Sequence, residues 1–91
     1  MENFNITCAI KNEKLDLNVR FKKSSITYFY IYKANTWIGT LQKHGEKKYR
    51  LLSYSSFHIS LSDLNVIGEQ ISRHEKIHVI DSPMTKTLKA A

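Results

Sequence analysis

The chain is poor in residues that cross-link or interrupt a fold, with one cysteine, one proline and three glycines among its 91 residues. A lone cysteine, Cys8, forms no disulfide within the chain, and no basic start followed by an apolar stretch precedes it. We therefore expect no secretory signal and a reducing, cytoplasmic location. The scarcity of glycine and proline argues against wholesale disorder.

Long apolar runs are also missing. Uncharged stretches such as residues 24 to 32 are far shorter than the roughly 20 apolar residues that cross a bilayer, and they contain serine, threonine and tyrosine. We expect no membrane segment. The composition, 42% hydrophobic and 24% charged, is typical of a globular protein. It predicts one compact domain over residues 1 to 81, a flexible tail over residues 82 to 91, and a core small enough to leave a homodimer open.

Alternation of apolar and polar residues predicts β-strands over the first part of the chain. We place them at residues 3 to 10, 15 to 22, 26 to 33, 37 to 43 and 47 to 55. In the third strand Phe29 and Ile31 are purely apolar, whereas the alternate residues keep hydroxyl groups that favour water. We therefore expect the tyrosine face, formed by Tyr28, Tyr30 and Tyr32, to point outward.

The period changes to that of an amphipathic helix after residue 60. The apolar stripe is Leu64, Ile67, Gly68 and Ile71. Ser60 and Asp63 have the spacing of a capping box that uses aspartate, and Ser62 is an alternative cap. We predict a helix over about residues 61 to 75, followed by an extended segment, because Ile77, Val79 and Ile80 favour strands and Pro83 prevents easy continuation.

These patterns predict an α+β fold in which an antiparallel sheet of four or five strands packs against one helix. The face toward the helix is expected to carry Leu15, Leu17, Val19, Phe21, Phe29 and Ile31, opposite Leu64, Ile67 and Ile71. Gly68 would let the helix approach the sheet closely. The layout over residues 15 to 75 resembles, in architecture alone, Pur-type repeats and single-strand-binding transcriptional coactivators. No family signature is matched, and no residue roles are carried over.

Aromatic and basic residues are concentrated between residues 26 and 57, which hold eight of the ten aromatic residues and five cations against one glutamate. Rings that stack on unpaired bases and cations that neutralise phosphates are the requirements of single-stranded DNA or RNA binding. The predicted site comprises Arg20, Lys22, Tyr28, Tyr30, Tyr32, Lys48 and Arg50. The plain alternative is an ordinary solvated sheet face, where lysine discourages edge pairing.

The segment from His74 to His78 matches HExxH, the helical motif that binds zinc in some hydrolases. The longer form of the motif fails, because Asp81 and Met84 occupy its next two positions. The motif is also expected to straddle the end of the helix. We therefore interpret it as a chance match and keep a zinc-dependent hydrolase as a minor alternative.

No other arrangement favours catalysis, since the chain has no nucleophile elbow and no phosphate-binding glycine loop. We expect a small non-catalytic binding protein that needs no cofactor, with single-stranded nucleic acid as its ligand. The alternative is a module that binds an acidic protein surface, for example an inhibitor of phage or mobile-element origin. Trp37 fits either an anchor for a protein partner or, more commonly for a lone tryptophan, the core.

Overall fold

The computed structural model describes residues 1 to 45 and 48 to 81, with side chains in the helix described as far as residue 75. Five strands precede one helix along the chain. They are β1 (Glu2–Ile10), β2 (Glu13–Lys22), β3 (Tyr28–Lys33), β4 (Thr36–Lys43), β5 (Tyr49–Tyr54) and α1 (Leu61–Asp81). The strands form one sheet, each antiparallel to the next, and the helix packs against it. The predicted α+β fold is confirmed.

Tight turns join two of the strand pairs. Ile10 pairs with Glu13 and Lys33 with Thr36, so each loop has two residues. Both residues of each loop have positive φ: 53° and 62° at Lys11 and Asn12, and 49° and 66° at Ala34 and Asn35. This is the type I′ geometry whose twist matches that of the flanking strands. The turns thereby set the register of β1 on β2 and of β3 on β4.

The helix begins with the predicted capping box. The Asp63 backbone N–H donates to the Ser60 hydroxyl over 3.1 Å, and the Ser60 backbone N–H donates to the Asp63 carboxylate over 3.1 Å. Lys11, in the β1–β2 turn, donates to the same carboxylate over 3.3 Å. Burial by itself would raise the pKa of Asp63, but these hydrogen bonds and the lysine charge outweigh it and lower the pKa. Asp63 therefore ties the start of α1 to the first hairpin.

The end of the helix differs from the prediction. Helical backbone continues to Asp81, so the extended segment expected at Ile77, Val79 and Ile80 is wrong. β-branched residues cost a helix only tenths of a kcal/mol each, and a helix that has already formed gains one hydrogen bond with each added residue. No glycine or proline lies between Gly68 and Pro83 to interrupt it. The predicted tail over residues 82 to 91 lies outside the described residues.

The core lies between the sheet and the helix, whose backbone approaches the two edge strands, β1 and β5, rather than the three central ones. The sheet therefore curves around α1. Its buried apolar side chains are Phe4, Ile6, Cys8, Ile10, Leu15, Leu17, Val19, Phe29, Ile31, Ile38, Leu41, Ile59, Leu64, Ile67 and Ile71. All the residues predicted to face the helix are among them except Phe21, which is half-buried.

Two small residues contribute to the packing of the core. Cys8 is buried, and its burial raises the pKa of the thiol to about 11, which is typical of a cysteine that acts as a small apolar core residue. A Cβ on Gly68 would lie 2.8 Å from the Tyr49 ring, so glycine is what allows this close approach of helix and sheet. In the part of the chain that the structure describes, no helix is long and apolar enough to cross a membrane.

Candidate nucleic-acid interface

The sheet face turned away from α1, called here the outer face, is left open by every element that the structure describes. β3 is the central strand of the sheet, and its residues alternate between the two faces. Phe29 and Ile31 point toward the helix and are fully buried, whereas Tyr28, Tyr30 and Tyr32 lie half-buried on the outer face. The predicted outward orientation of the tyrosines is confirmed.

The strand register brings basic residues beside these rings. Lys22 and Arg20 of β2 lie directly opposite Tyr28 and Tyr30. On the other side Tyr28 pairs with Gln42, and Gln42 pairs with Arg50 of β5. Neighbouring strands are about 4.8 Å apart, so Lys22 and Arg50 belong to one row spanning about 14 Å. Six of the seven predicted residues therefore share the outer face.

Arg20 is held in a defined position on this face. Its Nε donates to the Asn18 side-chain oxygen over 3.0 Å, and its guanidinium lies 3.9 Å from the centre of the Tyr32 ring. The Asn18 amide in turn donates to Asn3 and Asn5 of β1. One face of Tyr32 is thus covered by Arg20 in a cation–π contact. Tyr28 and Tyr30 remain the rings available for stacking, and the guanidinium plane is itself a surface on which a base can stack.

Trp37 also belongs to the outer face, which the sequence interpretation missed. It pairs with Tyr32, is half-buried, and donates from its indole N–H to the Thr40 hydroxyl over 3.0 Å. Uninterrupted alternation from Leu41 would have turned Trp37 toward the helix. A β-bulge inserts Ile38 as an extra residue, because Ile31 pairs with Gly39 and Tyr32 with Trp37. The bulge buries Ile38 and turns the indole outward, beside the tyrosines.

Lys48 stands apart from the other predicted residues. β5 begins at Tyr49, so Lys48 lies one residue before the strand, where its carbonyl accepts a hydrogen bond from the His44 backbone N–H over 2.7 Å. Its side chain is exposed and lines a groove between β5 and α1. Lys48 therefore extends the basic surface around the edge of the sheet, away from the tyrosines.

The HExxH segment lies wholly within α1, so the prediction that it straddles the end of the helix is wrong. His74 stacks on Phe4, with ring centres 3.8 Å apart and planes 3° from parallel. Glu75 accepts hydrogen bonds from Lys43 at 3.1 Å and from the Tyr49 hydroxyl at 3.4 Å. The side chain of His78 lies outside the described residues. Both described side chains of the motif thus help to pack the helix on the sheet.

Among the side chains that the structure describes, no three histidine, cysteine, aspartate or glutamate residues are grouped closely enough to hold a metal ion. Comparison with protein-family models, with curated proteins and with solved structures found no match for this chain.

Proposed function

We propose that this protein is a non-catalytic binding protein whose outer face binds single-stranded DNA or RNA. The observation that carries the proposal is the open central strand, on which Tyr28 and Tyr30 present rings between the cations of β2 on one side and Arg50 on the other. Alternate residues of a strand are about 6.8 Å apart, so neighbouring tyrosines would each take a separate, unstacked base.

The chemistry of the face favours single strands over duplexes. Bases within a duplex are stacked on each other and do not offer their flat faces to a protein ring, whereas an unpaired strand can splay its bases onto tyrosine. Each such stack contributes about 1–3 kcal/mol. Lys22 and Arg50 lie at the two ends of a row that passes through Tyr28, so they can contact phosphates on either side of a base stacked there.

The absence of catalysis is part of the same proposal. Three side chains with shifted pKa values have structural roles: Cys8 is buried in the core, Tyr49 is half-buried and hydrogen-bonded to Ser72 and Glu75, and Asp63 caps the helix. Shifted pKa values mark candidate catalytic groups only when the groups lie in a cleft with room for a substrate. Cys8 and Asp63 are instead closely surrounded by protein, and the Tyr49 hydroxyl is occupied by hydrogen bonds to the helix.

Fluorescence anisotropy with labelled single-stranded and duplex oligonucleotides across a salt series tests the proposal. Tyr30→Ala should weaken single-strand binding about 5- to 150-fold, the equivalent of the loss of one stacked base. Tyr30→Phe, which keeps the ring, should bind nearly as well as wild type. Lys22→Ala should reduce the salt slope by about 0.7, the value for one phosphate contact on a single strand.

Lys14→Ala is the matched control for charge. Lys14 lies on β2 with the same outward orientation as Lys22, but about 26 Å along the strand from it, beyond the tyrosines. The Lys14→Ala substitution should leave both the affinity for single strands and the salt slope close to those of wild type. No binding to any single strand at low salt, or equal losses from Lys14→Ala and Lys22→Ala, would contradict a defined site on the outer face.

A further inference from the structure

A groove of about 960 Å³ runs between the edge strand β5 and the first four turns of α1. Its lining includes the apolar side chains of Leu51, Leu61 and Leu64 together with Tyr49 and Gly68. Because Gly68 has no side chain, the helix surface is recessed where it faces Tyr49. The groove lies on the helix side of β5, since Tyr49 and Leu51 point toward the helix, and it shares Arg50 with the edge of the outer face.

The strand beside this groove is open to pairing. β5 is at the edge of the sheet, so its backbone groups on the side away from β4 have no strand partner among the described residues. Among the side chains that the structure describes, five large apolar ones are exposed, and three of them lie on β5 or at the start of α1: Leu52 is 47% exposed, Tyr54 44% and Leu61 74%. An edge strand with an apolar border is the structural setting in which a partner adds a further strand.

The charges around the groove indicate the chemistry of its occupant. Lys48, Arg50 and Arg73 line it, whereas Glu69 is the one carboxylate among the described lining residues and is paired with Arg73 over 3.1 Å. A second copy of this chain carries a net charge of +6, and residues 82 to 91 contain two lysines and no acidic residue. Because the groove is also basic, charge repulsion disfavours a second copy and the C-terminal residues as occupants. Charge complementarity favours an acidic partner.

We propose that this groove binds an extended acidic segment of a partner protein, which pairs with β5 as a sixth strand. Side chains that share the face of Leu51 would enter the apolar groove, and those that share the face of Arg50 would meet its charge. The preferred segment therefore alternates aliphatic and acidic residues. A β-bulge at Leu52, where Leu51 pairs with Leu41 and Ser53 with Thr40, limits regular pairing to the first half of β5. A segment of about five residues would cover this half with one residue to spare at each end.

Binding of a fluorescein-labelled peptide with the core Val-Glu-Val-Glu-Val tests this proposal, with Val-Lys-Val-Lys-Val as the peptide of opposite charge. The acidic peptide should bind and the basic one should not. Leu61→Glu and Arg73→Glu should each weaken binding about ten-fold or more, because they place negative charge at the groove. Lys14→Glu makes the same change in charge as Arg73→Glu on a distant strand and should have little effect on binding.

Main-chain pairing has a signature of its own. An edge strand pairs with alternate backbone groups of an added strand, so N-methylation of the peptide at one set of alternate residues should abolish binding, while methylation of the other set is tolerated. Equal losses from both sets, or no binding of the acidic peptide at millimolar concentration, would overturn the proposal. Amide chemical-shift changes confined to the outer face would overturn it as well.

The experiment also separates this site from the proposed nucleic-acid interface. Leu61→Glu should weaken peptide binding and leave oligonucleotide binding intact, whereas Tyr30→Ala should weaken oligonucleotide binding and leave peptide binding intact. If Leu61→Glu instead weakens oligonucleotide binding while the peptide fails to bind, the groove belongs to a nucleic-acid site. If sedimentation shows a dimer that Leu61→Glu dissociates, the occupant is a second copy, and the proposed acidic partner is wrong.

Discussion

Whether alanine in place of Gly68 stabilises or destabilises this protein depends on the neighbouring Tyr49 ring. Alanine in place of glycine within a helix normally stabilises it by about 1 kcal/mol. In this protein the added Cβ would lie 2.8 Å from Cδ2 of Tyr49 and 3.4 Å from both Cγ and Cε2. Carbon atoms pack favourably at about 3.5–4.0 Å, so the ring would have to move by roughly 0.7 Å or more.

That movement is opposed on two sides of the ring. The Tyr49 hydroxyl shares a hydrogen bond of 2.9 Å with the Ser72 hydroxyl, and its ring lies edge-on to the fully buried Phe29, with centres 5.8 Å apart. Overpacking of this kind costs about 1–3 kcal/mol. After the gain in helix propensity is subtracted, Gly68→Ala should lower the free energy of unfolding by roughly 1 kcal/mol, which corresponds to about 4–8 °C in Tm.

A double-mutant cycle with Tyr49→Val measures the clash directly. Valine suits a strand and lacks the ring atoms that meet the new Cβ, so in that background Gly68→Ala should be stabilising by about 1 kcal/mol. Urea titration and thermal melts followed by circular dichroism would give the four free energies of unfolding. Stabilisation by Gly68→Ala in the presence of Tyr49 would refute the reasoning, because the ring would then yield without cost.

Two further predictions concern buried titratable groups. The pKa of Asp63 is lowered in the folded state, so its contribution is present above its ordinary pKa of about 3.8 and is lost as pH falls through the folded value. Urea midpoints measured from pH 6 to pH 2.5 should fall less in Asp63→Asn than in wild type or in the exposed control Asp16→Asn, and parallel curves for all three would contradict this. Cys8 is 1% exposed and its pKa is about 11, so a thiol reagent at pH 8 should modify it only on unfolding. Rapid modification in the absence of denaturant would contradict this burial.

Much of the sheet and the start of the helix were predictable because their signals are local. Strict alternation in β2 decides which of its side chains face the core. In β3 the tyrosines alternate with Phe29 and Ile31, so they lie on the opposite face from these two core residues. Ser60 and Asp63 are three residues apart, which is the separation that a capping box requires. Such features depend on neighbours within a few residues and are unchanged by distant packing.

The predictions from sequence were wrong mainly where the local preference for helix or strand was weak, or where a β-bulge shifted the pairing of two strands. The preference of Ile77, Val79 and Ile80 for extended chain is a matter of tenths of a kcal/mol, and continuation of an existing helix outweighed it. The same continuation placed the whole HExxH segment on the helix. His74 and Glu75 lie against Phe4 and Lys43, which are distant in sequence, and no local pattern indicates those partners.

The sequence by itself therefore determined the α+β architecture, the outward tyrosines of β3 and the cap of α1, because periodicity and short-range hydrogen bonding specify them. Only the tertiary structure decided that Trp37 joins the outer face, since one bulged residue, Ile38, reverses the direction of the side chain before it. It also decided that Lys48 lines a groove beside β5. Both outcomes depend on how strands and helix meet across the fold, and that geometry is set by packing between residues far apart in the chain.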